Sequence, residues 1–173
     1  MERHDYGFVR TVCACETCRA NCRHLSGVVS PCDLKRWERQ YGATEDIHAW
    51  YLTHLAASPG ARVLSEGVVL RLPTIVPLRL HGTTQRCHWL TAAEACSIHN
   101  SAPFGCAFFD CQQSAAVGQH RSDRLHLDIF YDYLTWGPYR KLWTQLHANG
   151  NIVDAPEQAR AAMAHQAQER QQV

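Results

Sequence analysis

Cysteines are the residues in this chain whose type and spacing could do chemistry. Nine occur among 173 residues, and eight of them form two groups. The first group is Cys13, Cys15, Cys18 and Cys22, and the second is Cys87, Cys96, Cys106 and Cys111. In a reducing compartment, clustered thiols usually bind a metal or carry out redox chemistry. The odd total argues against a complete set of internal disulfides, so we expect all eight to be ligands of a metal or an iron–sulfur centre.

The two groups differ in spacing. The first follows the pattern C-x-C-x2-C-x3-C, and such a short segment lets several sulfurs converge on one centre, as in ferredoxin-type runs. The second follows C-x8-C-x9-C-x4-C, which lacks the paired knuckles of a structural zinc site. We therefore expect one or two iron–sulfur clusters of the 4Fe–4S type, with zinc as the alternative. Spacing does not decide between sequential and interleaved ligand sets, and one centre with spare cysteines also stays open.

The cysteines and their flanking residues resemble the YkgJ-like cysteine-cluster family, which is described as a zinc- or iron-chelating domain. Cys15, Cys18 and Cys22 resemble its N-terminal cysteine run, and "LSGVVSPCDLKRW" resembles the helix start that follows. "CHWL", "CSIHNSAPFGC" and the closing Cys111 resemble its later segments. The resemblance covers roughly residues 13–112, and it implies that these cysteines chelate zinc or iron.

This chain departs from the family pattern at several positions. Asn21 stands at the first position of the family's adjacent cysteine pair, and the upstream Cys13 is our candidate replacement. His99 and Ala102 stand where the family has tyrosine and arginine, and Cys32 has no counterpart. These differences affect the assignment of individual ligands and leave the expectation of a site unchanged.

Neighbours of the cysteines have side chains that suit a metal environment. Histidines beside the predicted ligands could replace a thiolate, as in Rieske-type centres, although such histidines more often orient a ligand or face solvent. They are His24, His88 and His99. Four aromatic residues could exclude water from the centre as well as pack in the core. They are Trp89, Phe104, Phe108 and Phe109. A capped turn at Thr91–Glu94 should bring Cys96 round towards Cys87.

The rest of the sequence predicts a mainly α-helical fold with a small β-hairpin, which is an α+β class. We expect irregular cysteine-rich loops organised around the metal or iron–sulfur centres. The Ser30–Asp33 segment should start a helix that ends at Gly42. Thr44 should cap a second helix, which ends before the Ser-Pro-Gly sequence at 58–60. The stretch at 67–82 is rich in Val, Ile and Leu and predicts two short strands of an edge hairpin.

Beyond the second cysteine group, helical spacing predicts further helices. The apolar positions of two of them are Leu125, Ile129, Phe130, Tyr133 and Leu134, then Tyr139, Leu142, Trp143 and Leu146. Asp154 and Glu157 should cap a last helix. We therefore divide the chain into a cysteine-cluster metal-binding domain at residues 1–115 and a helical C-terminal extension at 116–173. The extension should pack on that domain or on a partner.

Composition narrows the classes of function. Hydrophobic residues make up 46% and charged residues 19%, which is typical of a folded domain. The net charge of +1 gives no electrostatic reason to expect nucleic acid or an anionic membrane as a partner. No apolar run reaches the roughly 20 residues that span a bilayer. The start, MERHDYGFVR, lacks an apolar segment of the signal-peptide type, so we expect a cytoplasmic protein.

These observations favour an iron–sulfur protein that acts as an electron carrier or redox subunit for a protein partner. The first alternative is a zinc-stabilised interaction module whose partner surface includes Trp136, Tyr139 and Trp143. The second is a metal-dependent enzyme component. The sequence contains no P-loop, G-x-S-x-G or H-E-x-x-H motif, and it leaves the question of enzymatic activity open.

Overall fold

The computed structural model describes residues 7–10, 15–24, 27–44, 46–65, 68–79 and 86–153. Its helices are α1 (Glu16–His24), α2 (Pro31–Tyr41), α3 (Ile47–His54), α4 (Phe104–Ala107), α5 (Ala115–Leu134) and α6 (Pro138–Ala148). Between α3 and α4 lie strands β1 (Leu55–Ser65) and β2 (Val68–Pro77) and a 3-10 turn at His99–Ser101. The predicted fold class, mainly α with a small β-hairpin and cysteine-rich loops, is confirmed.

Helix α2 begins and ends where the sequence predicts. The Ser30 hydroxyl accepts a hydrogen bond from the Asp33 N–H at 3.1 Å, and the Asp33 carboxylate accepts one from the Ser30 N–H at 2.8 Å. This reciprocal capping satisfies N–H groups that the start of a helix leaves without intrahelical partners. At the other end, the Gly42 N–H donates to the Glu38 carbonyl. The prediction for α2 is confirmed.

Helix α3 starts later and ends earlier than predicted. Its cap is Asp46, whose carboxylate accepts hydrogen bonds from the N–H groups of His48 and Ala49. The Thr44 hydroxyl instead donates to the Tyr41 carbonyl, at 3.1 Å, and finishes the turn after α2. The helix stops at His54, so the Ser-Pro-Gly sequence at 58–60 lies inside β1. The prediction that Thr44 is the cap is therefore wrong.

The hairpin pairs different segments from those predicted. Residues 68–77 of the apolar stretch form the single strand β2, and its antiparallel partner is β1. The ladder is interrupted by a bulge between Ser58 and Ala61, where Gly60 has a φ of +85° that glycine adopts without strain. Pro73 lies opposite this bulge, so its missing N–H falls where the ladder is already broken. The turn signal at 58–60 therefore marks a bulge.

Helix α6 packs its apolar face against the hairpin. Tyr139, Leu142 and Leu146 are buried, and Trp143 is half-buried with its indole N–H donating to the Ser58 carbonyl at 2.9 Å. The predicted apolar face of α6 is confirmed. Because Tyr139 is fully buried, its predicted place on an exposed partner surface is wrong. The predicted domain boundary remains a prediction.

Helix α5 buries only part of the face predicted from its spacing. Leu125 and Ile129 are buried, whereas Phe130 and Leu134 are 42% and 60% exposed. The predicted last helix, with Asp154 as its cap, lies outside the described residues. Within the described ranges, no helix combines the length and the apolar character needed to cross a lipid bilayer.

Candidate metal centre

Three of the predicted ligands converge at one surface site. The sulfur atoms of Cys15, Cys18 and Cys111 lie within 4.8 Å of one another. The two sulfurs of Cys15 and Cys111 are 3.3 Å apart, and the Cys111 N–H donates to the Cys18 sulfur at 3.4 Å. Cys15 and Cys111 are exposed and Cys18 is half-buried. We call Cys15, Cys18 and Cys111 the outer triad.

Helix α1 and the turn after α4 position the outer triad. The Arg19 N–H donates to the Cys15 carbonyl at 3.0 Å, so Cys15 begins the first turn of α1 and Cys18 follows it. The loop that carries Cys111 is fixed at Asp110, whose carboxylate accepts the Gln112 N–H at 2.8 Å. Two separate parts of the chain thus bring three thiols together, and a bound ion would join them.

The other four predicted ligands in the described residues lie further inside the fold, and no three of their sulfurs come within 4.8 Å of one another as those of the outer triad do. These four are Cys22, Cys87, Cys96 and Cys106, which we call the inner group. Cys87 is buried, and the other three are half-buried and pack against the hydrophobic core. Burial raises the pKa of Cys22 to about 11, and the neighbouring thiols of Cys87 and Cys96 add to the rise. Burial likewise raises the pKa of Cys106 well above its ordinary value, and again Cys87 contributes.

The cysteines that lie near one another are therefore interleaved along the chain. The sulfurs of Cys15 and Cys18 lie with that of Cys111, whereas the Cys22 carbonyl accepts the Cys87 N–H. Whether these neighbours share a metal remains a prediction. None of the eight described cysteines is joined in a disulfide. Cys13 lies outside the described residues, and its role as a ligand remains a prediction.

The predicted turn at 91–95 is present and folds Cys96 back towards Cys87. The Glu94 N–H donates to the Thr91 carbonyl at 3.0 Å, and the Thr91 N–H donates to the Ala95 carbonyl at 2.9 Å. Leu90 and Cys96 then form an isolated antiparallel bridge. Arg23 on α1 forms an ion pair with Glu94, so the turn is also fastened to the helix that carries Cys22.

The aromatic residues near the cysteines belong to the core. Trp89, Phe104 and Phe108 are buried, and the rings of Phe104 and Phe108 stack with centroids 5.1 Å apart. Phe109 packs edge-on against Phe104 at 5.8 Å. The core around the inner group is thus apolar, and burial in it accounts for the largest part of the raised thiol pKa values.

The candidate histidines do not join the outer triad among the described residues. His88 lies edge-on to His54, with ring centroids 5.0 Å apart, and burial, followed by the charge of His54, lowers the pKa of His88. His99 is exposed on the 3-10 turn. The side chain of His24 lies outside the described part of the chain. Their role as ligands remains a prediction.

Two features of the site were missed by the sequence analysis. Gly27 and Gly105 touch so closely that a Cβ on Gly27 would collide with the backbone of Gly105 and Cys106. Burial lowers the pKa of the Arg10 guanidinium, and the charge of Arg36 lowers it further, whereas the nearby thiols of Cys96 and Cys106 oppose the shift. Both contacts join residues that are far apart in the sequence, and no local pattern indicates either one.

Cys32 belongs to neither group. Its thiol donates to the Asp128 carboxylate of α5 at 3.9 Å.

Comparisons of this chain with protein-family models, curated proteins and solved structures found no match. The resemblance to the YkgJ-like family therefore stays a prediction that rests on the cysteine pattern.

Proposed function

We propose that the outer triad binds a single zinc ion, which fastens the start of α1 to the loop after α4. The mutual distances of the three sulfurs are the observation that carries the proposal. A tetrahedral zinc ion with Zn–S bonds of about 2.3 Å holds its sulfurs roughly 3.8 Å apart. Thiols within 4.8 Å of one another therefore suit one ion. In a 4Fe–4S cluster each thiolate binds a different iron atom, which separates the sulfurs further.

The same geometry supports a stabilising role. The loop at 108–113 is closed on itself by the Gln113 side chain, which donates to the Phe108 carbonyl at 2.6 Å, and the Arg121 guanidinium of α5 donates to the same carbonyl. A metal bound by Cys15, Cys18 and Cys111 cross-links two segments that are far apart in the sequence, and its binding energy adds to the stability of the folded state.

An iron–sulfur electron carrier is the second candidate function. It is favoured by a backbone donor at the outer triad, because the Cys111 N–H points to the Cys18 sulfur. Hydrogen bonds to the sulfurs are one of the means by which proteins set the reduction potential of a cluster. On this reading, the exposed sulfurs of Cys15 and Cys111 would face a protein redox partner.

A metal-dependent enzyme component would need an open coordination position. The outer triad supplies three sulfurs, so the fourth ligand decides between a closed structural site and an open catalytic one. Cys13, a predicted ligand two residues before Cys15, is our candidate for the fourth. X-ray absorption at the metal edge distinguishes the two: four sulfur neighbours favour the structural ion, and three sulfurs with one lighter atom favour the enzyme.

The test of the proposed function is the metal content of chain purified under anaerobic conditions. We expect colourless protein with zinc, and loss of one zinc per chain in the Cys111→Ser variant. The matched control is Cys32→Ser, because Cys32 lies in neither cysteine group, and it should keep its full metal content. Brown protein with iron and acid-labile sulfide would favour the electron carrier. No bound metal in the wild type, or the same loss in Cys32→Ser, would contradict both.

A further inference from the structure

We infer that Cys15 and Cys111 are a reversible redox pair, which a small-molecule disulfide oxidises to an intramolecular disulfide bond. The observation that carries the inference is the contact between their two sulfurs, which lie 3.3 Å apart at an exposed site. Formation of the bond requires no metal. Its regulatory consequence rests on the proposed function, because the bond uses two sulfurs of the outer triad and so expels the ion bound there.

The two sulfurs lie closer together than a shared metal ion requires. Sulfurs bound to one tetrahedral zinc ion are about 3.8 Å apart, and those of a disulfide bond are about 2.05 Å apart. The observed separation of 3.3 Å falls between these two values. A movement of about 1 Å therefore brings the sulfurs of Cys15 and Cys111 to bonding distance.

The third thiol of the outer triad is less accessible than the other two. Cys18 is half-buried, and its sulfur accepts the Cys111 N–H at 3.4 Å. Cys15 and Cys111 are both exposed. An oxidant in solution therefore reaches their sulfurs first, because the reactivity of a thiol depends on access as well as on its ionisation.

Backbone contacts hold the two residues of the pair on separate segments. The Arg19 N–H donates to the Cys15 carbonyl at 3.0 Å, which fixes Cys15 at the start of α1. Cys111 follows Asp110, whose carboxylate accepts the Gln112 N–H at 2.8 Å. Because Cys111 and Gln112 are exposed, this turn can shift by the small distance that bond formation needs without disturbing the core.

Burial distinguishes the pair from the inner group. The four inner cysteines are buried or half-buried, and all of them pack in or against the hydrophobic core. Thiols in apolar surroundings are poorly reactive, and a small-molecule disulfide has to approach the sulfur that it oxidises. We therefore expect oxidation to be selective for Cys15 and Cys111.

The oxidation is a thiol–disulfide exchange with a compound such as oxidised glutathione. The thiolate of one cysteine attacks the disulfide, forms a mixed disulfide and releases one molecule of reduced glutathione. The thiolate of the other cysteine then attacks the protein sulfur of the mixed disulfide, forms the Cys15–Cys111 bond and releases a second reduced glutathione. Two electrons pass from the pair to oxidised glutathione, and the two thiol protons end on the two released glutathione molecules.

The disulfide and a metal ion exclude each other at the outer triad. Only a thiolate binds the metal, and oxidation leaves Cys18 as the one sulfur of the triad able to do so. The disulfide joins residues 96 positions apart in the sequence, so it fastens α1 to the loop after α4 as the ion would. The oxidised chain should therefore keep its fold and lose its affinity for metal at this site.

The first arm of the experiment uses the full-length chain without metal. Protein stripped with a chelator under anaerobic conditions is incubated with oxidised glutathione, and its remaining thiols are then blocked by alkylation. Mass spectrometry of the whole chain counts the blocked thiols, and mass spectrometry of its proteolytic fragments identifies the bonded pair. The variants are Cys15→Ser and Cys111→Ser, with Cys32→Ser as the control, and circular dichroism checks that each one folds.

We expect the wild type and Cys32→Ser to lose two thiols and to yield the Cys15–Cys111 cross-link, which excess dithiothreitol reverses. In Cys111→Ser the exchange should stop at its first step and leave one glutathione on Cys15. The cross-link in the wild type is decisive even where a variant fails to fold. A wild type that keeps all its thiols, or that bonds a different pair of cysteines, would overturn the inference.

The second arm separates the inference from the proposed function. Reduced and oxidised wild type are each dialysed against Zn²⁺, and we expect the oxidised chain to bind one zinc ion fewer. Equal zinc in the two forms would contradict the mutual exclusion. If the cross-link forms and the reduced chain binds no zinc, the proposed function fails and the redox pair stands. If the reduced chain binds zinc at the outer triad and no cross-link forms in the stripped chain, the reverse holds.

Discussion

Cys18 and Cys22 lie one helical turn apart on α1, and they belong to different groups of thiols. The sulfur of Cys18 lies with those of Cys15 and Cys111, whereas the carbonyl of Cys22 accepts the Cys87 N–H. Residues four apart share a face of a helix, so α1 supports both groups. Because Cys18 also adds to the raised pKa of Cys22, the two sites are close enough to influence each other electrostatically.

Asp33 should be essential for stability as well as for the start of α2. Its carboxylate is fully buried and accepts hydrogen bonds from the Ser30 and Phe104 N–H groups, both at 2.8 Å, and from Arg36 at 2.7 Å. We expect Asp33→Asn to lower the free energy of unfolding by about 2–4 kcal/mol, because it leaves Arg36 without its buried counter-charge.

Urea unfolding of Asp33→Asn should be compared with that of Asp46→Asn. Asp46 caps α3 at an exposed position, and asparagine caps a helix about as well as aspartate does. The control should therefore change stability by only a few tenths of a kcal/mol. Equal effects of the two variants would show that the buried network around Asp33 contributes nothing beyond ordinary capping.

The Tyr139 hydroxyl connects α6 to two other segments of the core. It donates to the Val29 carbonyl at 3.0 Å and accepts the Ile75 N–H at 2.7 Å, and the ring is fully buried. Tyr139→Phe leaves the two backbone groups unsatisfied, so we expect a loss of about 1–3 kcal/mol in thermal or urea unfolding. Tyr131→Phe is the control, since Tyr131 is 57% exposed, and a comparable loss there would refute the explanation.

Gly105→Ala should lower the stability of the fold, whereas Gly118→Ala should raise it. The added Cβ of Gly105→Ala meets backbone atoms of Gly27 and Val28, and overpacking of this kind costs about 1–3 kcal/mol. Gly118 lies in α5 with open space around it, so Gly118→Ala should stabilise the chain by up to about 1 kcal/mol. Chemical denaturation of both variants measures the difference, and a neutral Gly105→Ala would contradict the close contact.

The stability of the chain should fall as the pH rises through the alkaline range. In the metal-stripped chain burial raises the pKa of Cys22 to about 11 from an ordinary value of 9.0, and it also raises those of Cys96 and Cys106. The folded state then holds these protons more tightly than the unfolded chain. Its stability is fully present below about pH 9 and is lost as pH rises towards about pH 11.

Metal bound at the outer triad should add a second contribution to stability that is lost in acid, because bound thiolates have released their protons and acid competes with the metal. Urea midpoints measured from mildly acid pH to about pH 10, with and without chelator, test both contributions. If the stripped chain keeps the same midpoint throughout this range, the inner thiols are not buried as described.

Local chemistry explains which parts of the fold could be predicted from the sequence. The α2 cap depends on Ser30 and Asp33, three residues apart, and the buried face of α6 follows from helical periodicity. The bulge at 58–60 carries the same residues as a turn, and only its pairing with β2 makes it part of a strand. That pairing is a tertiary contact, which local propensity does not encode.

At the candidate site, too, local features could be predicted from the sequence and tertiary contacts could not. Cysteine content and spacing make eight cysteines candidate ligands, of which three meet at the outer triad, and the turn at 91–95 follows from its own residues. Which cysteines lie together depends on tertiary contacts such as that between Gly27 and Gly105, which are far apart in sequence. The place of Arg10 beside Cys106 likewise depends on the folded chain.

Anomalous X-ray scattering from crystals of anaerobically purified chain tests the central claim most directly. We predict a peak at the zinc edge about 2.3 Å from the sulfurs of Cys15, Cys18 and Cys111. Those three sulfurs bound to no metal, or joined in disulfide bonds, would contradict the claim.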